Sequence, residues 1–293
     1  MTDQSGKVTS LSQYIAEIIS NSASKNLMCY RGQSDAKWKP VPGVYRDNHH
    51  RHAEERSIRE LISDAPESFR HDRSMFEKLV KAQHYKLPTR LLDVSLNPLV
   101  ALYFACVGNP EDDGRIYTFE ILDERRTLQF DSDRMSLISN LARLSDVERD
   151  KINSYLSKPS IEKHGAITSA KFKNWFNRCP EVKRLVQFVR VEKPYFLNEV
   201  IPRNLKQYYF VWPKRSHPRL VAQSGAFLAA GLLKFSGLQR SRSIDVKEYT
   251  IPSNHKETLL SELDVMHINA RALFPEIENV AAYIQSKYTI KNV

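Results

Sequence analysis

The sequence is poor in cysteine. Its 293 residues include three, Cys29, Cys106 and Cys179, and these stand far apart without a CxxC or Cys/His spacing. Disulfide frameworks and structural zinc sites need cysteines at paired or clustered spacings, so the pattern argues against both. We therefore expect a protein of a reducing compartment.

Long apolar runs and glycine are also scarce. The longest apolar run, LVALYFACV, is too short to span a bilayer, and the opening MTDQSGKVTS lacks the basic start and apolar stretch of a secretory signal. The 9 glycines argue against a loop-rich scaffold. We expect a cytoplasmic protein without a membrane partner.

Positive charge is in excess. Lysine and arginine number 44 against 34 acidic residues, which gives a net charge of +10. This balance favours anionic partners such as nucleotides or nucleic acid. A hydrophobic share of 41% and an aromatic share of 10% are typical of a globular protein.

Helix and strand signals alternate along the chain. Ser74 and Glu77 predict a capping box in front of the helix FEKLVKAQHYK, and Asn97 with Pro98 predicts the start of a buried helix, PLVALYFACV. LMCYR, GRIYTFEIL, QYYFVW and VKEYTI read as strands.

Charged helical patterns predominate from about residue 123 to 193, with a further capping box at Ser145 and Glu148. We predict an α+β fold: a small, split antiparallel sheet with flanking helices. The chain would form a single domain over residues 1–293, with a mainly helical insertion at about 123–193.

The stretch QHYKLPTRLLDVSLN, residues 83–97, concentrates residues capable of chemistry. A helix end, a proline turn and a helix start share a small volume here, which brings His84, Arg90, Asp93 and Ser95 together. Each also has a structural alternative: His84 would complement the helix dipole, Arg90 and Asp93 would form an ion pair, and Ser95 would cap.

Three histidines, His49, His50 and His52, are nearly contiguous. They cannot all lie on one face of a helix or strand, so the sequence predicts no metal site there.

Four segments of the chain form a recognisable set: YRGQ at 30–33, AQHYKLPTRLLDVSLNPLVALYFA at 82–105, RLVAQSGAF at 219–227 and ALFPEIENVAAYI at 272–284. Together they closely resemble the FRG domain family. The sequence departs from the family at Lys86, where glycine is usual, and at Val94, where tryptophan is common.

More distantly, the order of motifs resembles that of ADP-ribosyltransferases, which implies a fold of that kind and NAD as substrate. The resemblance implies catalytic roles for Arg31, His84, Asp93 and Gln223. It also implies cofactor-binding residues, which are Tyr30, Arg31, Gly32, Gln33, Arg90 and Ser95. A bidentate guanidinium suits a pyrophosphate or ribose, and the acceptor would be nucleic acid or protein, in a bacterial toxin or phage-defence setting.

Two other functions stay open. Gln223 stands where those enzymes carry a glutamine or glutamate, and glutamine supplies no negative charge for an oxocarbenium-like state, so Asp93, Glu199 or another carboxylate would have to reach the site. Without one, the chain would be a non-catalytic module that binds nucleotides or nucleic acid. The third possibility is a hydrolase or nuclease built on His84, Arg90 and Asp93.

Overall fold

The computed structural model describes residues 6–21, 24–215, 217–233 and 243–288. Eight strands in these ranges form one sheet. In chain order they are β1 Gly6–Lys7, β2 Leu27–Gln33, β3 Leu91–Ser95, β4 Gly114–Ile121, β5 Thr127–Gln129, β6 Tyr208–Trp212, β7 Gly225–Ala230 and β8 Ile244–Ile251.

The sheet consists of two groups of four strands, in the order β1-β8-β4-β2 and β3-β7-β6-β5. We call them the first and second half-sheets. They meet where β2 and β3 pair through a single residue register, Tyr30 with Ser95. Inner pairs are antiparallel, whereas the outer pairs β1 with β8 and β5 with β6 are parallel.

The mixed α and β composition agrees with the prediction, but the small antiparallel sheet does not. The sheet has eight strands and is mixed, because the short edge strands β1 and β5 join it in parallel. Two- and three-residue strands carry too little period-2 pattern to be found in a sequence.

Helices flank the sheet and dominate residues 123–193. In chain order they are α1 Leu11–Asn21, α2 Asn48–Asp64, α3 Pro66–Phe69, α4 Met75–His84, α5 Pro98–Cys106, α6 Asp133–Asn140, α7 Asp146–Tyr155, α8 Lys158–His164, α9 Ala170–Phe176, α10 Pro180–Glu192, α11 Pro218–Ala222, α12 Lys256–Val265, α13 Ala270–Leu273 and α14 Ile277–Tyr288. Within the described ranges, none is both long and apolar enough to cross a bilayer.

The predicted helix caps are present. Ser74 accepts from the backbone N–H of Glu77 at 3.2 Å, and the Glu77 carboxylate accepts from the N–H of Ser74 at 3.1 Å. Asn97 caps α5 through the N–H of Leu99 at 2.9 Å. Helix α5 is buried along most of its length, as its apolar sequence predicts.

Three hydrophobic clusters cover the two faces of the sheet. One face is covered by helices: α1, α5 and α12 pack on the first half-sheet, and α4, α6 and α10 contribute to the cluster on the second. The opposite face carries a third cluster that extends across both half-sheets, from Ile121 to Ala230. We call these the helical face and the open face.

Candidate functional site

Strand alternation separates the residues of the Tyr-Arg-Gly-Gln motif. Tyr30 belongs to the cluster on the helical face. Gly32 faces the same way, since a Cβ on it would lie 1.8 Å from the carbonyl oxygen of Ala101 in α5. Arg31 and Gln33 therefore point to the open face. Of the four residues assigned to cofactor binding from this motif, Tyr30 and Gly32 pack against helices instead.

Arg31 lies where the two half-sheets separate. Its Nη1 donates to the backbone oxygen of Asp93 at 2.7 Å and lies 3.9 Å from Oδ2 of the same residue. The Arg31 side chain is 16% exposed and that of Asp93 is 64% exposed. When the side-chain nitrogen of Gln33 donates to the carbonyl of Trp38 at 3.0 Å, the side-chain oxygen accepts from Nε of Arg31 at 3.2 Å. The guanidinium is thus fixed by neighbours on two strands.

Arg31 also feels the positive charge of a second cation, Arg46. Burial lowers the pKa of Arg31, the Asp93 carboxylate opposes this shift, and the positive charge of Arg46 lowers the pKa further. Arg46 is exposed, and its Nε donates to the carbonyl of Val41 at 3.2 Å. Two guanidinium groups with one exposed carboxylate form a local excess of positive charge that suits an anion.

A row of polar side chains crosses the first half-sheet on the open face. Arg31 pairs with Tyr117, and Tyr117 pairs with Glu248, so all three share one face. Neighbouring strands lie about 4.8 Å apart, which puts the backbones of Arg31 and Glu248 about 10 Å apart. Burial, together with Glu248, raises the pKa of Tyr117 to about 12.

Ser95 and Gln223 brace the junction between the half-sheets. The Ser95 hydroxyl donates to the backbone oxygen of Gln223 at 2.7 Å and accepts from the N–H of Asn97 at 2.9 Å. The Gln223 side-chain nitrogen donates to the carbonyl of Leu273 at 3.0 Å. Ser95 pairs with Tyr30 in the register of β2 with β3.

Arg90 does not have the cofactor-binding position that the resemblance implied. Its side chain is 0% exposed, and it donates to both carboxylate oxygens of Glu54, at 2.8 and 2.6 Å. A group closed off from solvent in this way is not available to a cofactor. The ion pair considered between Arg90 and Asp93 is replaced by the pair with Glu54, since Asp93 points to the surface.

His84, the last residue of α4, joins two residues that are distant in the sequence. His217 and Glu276 each bring one ligand atom to within 4.8 Å of the His84 ligand atom and of each other. Burial lowers the pKa of His84, the charges of His217 and Arg219 lower it further, and Glu276 opposes them. The sequence carries no signal for this group, because its members have no common motif spacing.

Glu199 lies in a different part of the molecule. Its carboxylate is 2.9 Å from Nζ of Lys173, which belongs to α9 in the helical segment. Since Lys173 already balances its charge, Glu199 is not a carboxylate that serves Arg31. Asp93 is the carboxylate that the structure places beside Arg31, whereas Glu248 lies two strands away and pairs with Arg115.

The fold and the Arg31 surroundings define a mixed α/β protein with a cationic site at the junction of two half-sheets. Residues 26–114 match the family model of the FRG domain. This segment contains β2 with Arg31, α4 with His84, and β3 with Asp93 and Ser95. The resembling segments at 219–227 and 272–284 lie outside it. No curated protein and no solved structure matches the chain.

Proposed function

We propose that this protein binds NAD at Arg31 and transfers its ADP-ribose to an acceptor. The observation that carries the proposal is the Arg31 guanidinium, which lies beside the exposed Asp93 carboxylate and within range of the positive charge of Arg46. Guanidinium groups bind phosphate oxygens in bidentate fashion, so this site suits the pyrophosphate of a dinucleotide. The resemblance to ADP-ribosyltransferases in motif order supports the same assignment.

In the proposed reaction the bond between ribose C1′ and the nicotinamide nitrogen breaks, and its electron pair leaves with nicotinamide. Positive charge develops on the ribose, where a carboxylate is worth several kcal/mol. Asp93 supplies that carboxylate and takes the proton released when the acceptor attacks C1′. Gln223 offers its side-chain oxygen to a ribose hydroxyl. The net charge of +10 favours nucleic acid over protein as acceptor.

A second candidate is a module that binds a nucleotide without turnover. Gln223 favours it, because the side-chain nitrogen of this residue is bonded to Leu273 and no carboxylate stands at its position. The hydrolase alternative loses one of its three residues, since Arg90 is buried against Glu54.

The test is to follow both products of NAD. Purified protein is incubated with NAD alone and with DNA, RNA or cell lysate, and nicotinamide release and ADP-ribose attachment are measured by mass spectrometry. We expect Arg31→Ala to weaken NAD binding at least tenfold and Asp93→Asn to bind NAD but lose turnover. Arg56→Ala, an exposed arginine of α2, is the matched control.

Three outcomes separate the functions. Nicotinamide release that depends on Arg31 and Asp93 supports the transferase. Binding of NAD by the folded protein without release supports the binding module. If folded protein neither binds NAD nor releases nicotinamide, the transferase fails and a binding module would have to hold a different nucleotide. Loss of DNA or RNA that a chelator prevents would then favour the hydrolase.

A further inference from the structure

We infer that His84, His217 and Glu276 form a binding site for one divalent transition-metal ion, with zinc the first choice. Two imidazoles and one carboxylate are a ligand set that zinc accepts, and three protein ligands leave a fourth position open. Arg31 and Asp93 of the proposed NAD site are not among its ligands, so zinc binding does not depend on NAD binding. The sequence alone predicted no metal ligands.

The first support is an unsatisfied carboxylate oxygen. Oε1 of Glu276 is buried and has no hydrogen-bond partner in the described part of the chain. Its other oxygen, Oε2, accepts from Asn279 at 3.3 Å. A buried carboxylate oxygen without a partner is costly, because its desolvation is not compensated. A cation beside Oε1 would remove this cost.

The second support is the mutual geometry of the three side chains. The rings of His84 and His217 have centroids 4.3 Å apart with an angle of 52° between their planes. The three ligand atoms lie within 4.8 Å of one another. Around tetrahedral zinc, with bonds of about 2 Å, ligand atoms lie about 3.3 Å apart. Small rotations of these half-buried side chains close the difference.

The third support is that separate contacts hold the three segments together. Gln223 ties the end of α11 to Leu273, and the Arg219 guanidinium lies 4.6 Å from the ring centroid of Phe274. These contacts keep the residue before α11, His217, near the residue before α14, Glu276. The ligands are therefore brought together by the fold and not by chance rotamers of one loop.

Two features of the site oppose metal binding. Nδ1 of His217 accepts from the N–H of Arg219 at 3.2 Å, and coordination by a neutral ring would sacrifice this bond. A single capping bond of this kind is weak beside the binding of zinc by three protein ligands. The charge of Arg219 also opposes a cation, and the Glu276 carboxylate offsets it.

The experiment uses the untagged full chain, stripped with EDTA and dialysed. Zinc is titrated in competition with a chromophoric chelator, and cobalt(II) replaces zinc to record the ligand-field spectrum. We expect one equivalent of zinc per chain and the intense visible bands of a four-coordinate cobalt site. The ligand variants are His84→Gln, Glu276→Gln and His217→Asn, and asparagine retains the capping oxygen at position 217.

Each ligand variant should weaken zinc affinity by more than about 100-fold, since loss of an outer-shell partner alone costs about 10–100-fold. The exposed controls His71→Gln and Glu278→Gln should bind zinc like the wild type. Arg31→Ala should also bind normally, which separates failure of this site from failure of the NAD site.

Two results would overturn the inference. One is the absence of stoichiometric zinc binding by protein that circular dichroism shows to be folded. The other is a bound equivalent that survives in all three ligand variants but is lost in His50→Gln or His52→Gln, which would move the metal to the start of α2.

Discussion

The guanidinium of Arg90 and the carboxylate of Glu54 form a two-pronged ion pair inside the protein, with Nε to Oε1 at 2.8 Å and Nη2 to Oε2 at 2.6 Å. A second buried cation, Arg149, lies 2.9 Å from the same Oε2. Glu54 thus links α2 to the start of β3 and to α7. It is the carboxylate that both buried arginines share.

Replacing Glu54 should destabilise the protein strongly. In Glu54→Gln both arginines stay buried while their shared counter-charge is gone, and breaking a buried ion pair in this way costs about 3–5 kcal/mol. The measurement is the free energy of unfolding from denaturant titration. Glu60→Gln, at an exposed position of the same helix, is the control, and equal stability of the two variants would contradict the role of Glu54.

Gly32 should not tolerate a side chain. A Cβ there would lie 1.8 Å from the carbonyl oxygen of Ala101 and 2.7 Å from the nitrogen of Ala105, so β2 and α5 would have to move apart. We expect Gly32→Ala to cost about 1–3 kcal/mol or more and to disturb Arg31 beside it. Thermal unfolding and NAD binding measure the two effects.

The control for this variant is Gly6→Ala. Among the residues that the structure describes, its Cβ would meet the Tyr249 ring alone, at 3.3 Å and beyond, so the change should be mild. If Gly32→Ala is as stable as Gly6→Ala, the close approach of β2 to α5 is not what the glycine serves.

Replacing Lys86 with glycine should increase the stability of the protein. Its φ of 67° is in the left-handed region, where a side chain costs roughly 1–2 kcal/mol, and the residue is exposed. Lys86→Gly relieves that strain but adds freedom to the unfolded chain, so we expect a net gain of about 0.5–1 kcal/mol. The melting temperature measures it.

Lys78→Gly provides the opposite case. Lys78 lies in the interior of α4, where glycine costs about 1 kcal/mol relative to a good helix former. The same chemical change should therefore raise stability at position 86 and lower it at position 78. A loss at both positions would show that Lys86 contributes through its side chain.

Glu192 should make stability depend on pH. Burial raises the pKa of this carboxyl, whose Oε2 accepts from the N–H of Met75 at 2.6 Å. As pH rises above the unfolded pKa of about 4.3, the unfolded chain loses the proton first, so the folded state loses stability until Glu192 also ionises. The free energy of unfolding of Glu192→Gln should therefore increase relative to that of the wild type as pH rises from about 4 to 7.

Unfolding at a series of pH values measures this difference, and Glu199→Gln supplies the reverse sign. Lys173 lowers the pKa of Glu199, so that variant should fall behind the wild type as pH rises, by a small amount at this exposed site. A difference between Glu192→Gln and wild type that does not change with pH would contradict the role assigned to burial.

Local signals in the sequence determined much of the secondary structure. Ser74 with Glu77 and Asn97 with Pro98 satisfy backbone groups within the same turn, so their effect is the same in any fold. The glycine expected at position 86 reflects a backbone angle that is also local, and the structure shows that angle directly.

The site was decided by contacts between distant residues. Arg31 and Asp93 could be suspected from their segments, but the approach of Arg46, the burial of Arg90 against Glu54 and the meeting of His84 with His217 and Glu276 could not. Sequence periodicity tells which face of an element is apolar, and does not tell which element covers it. Only the packed chain fixes whether a charged side chain meets solvent, a counter-charge or a ligand.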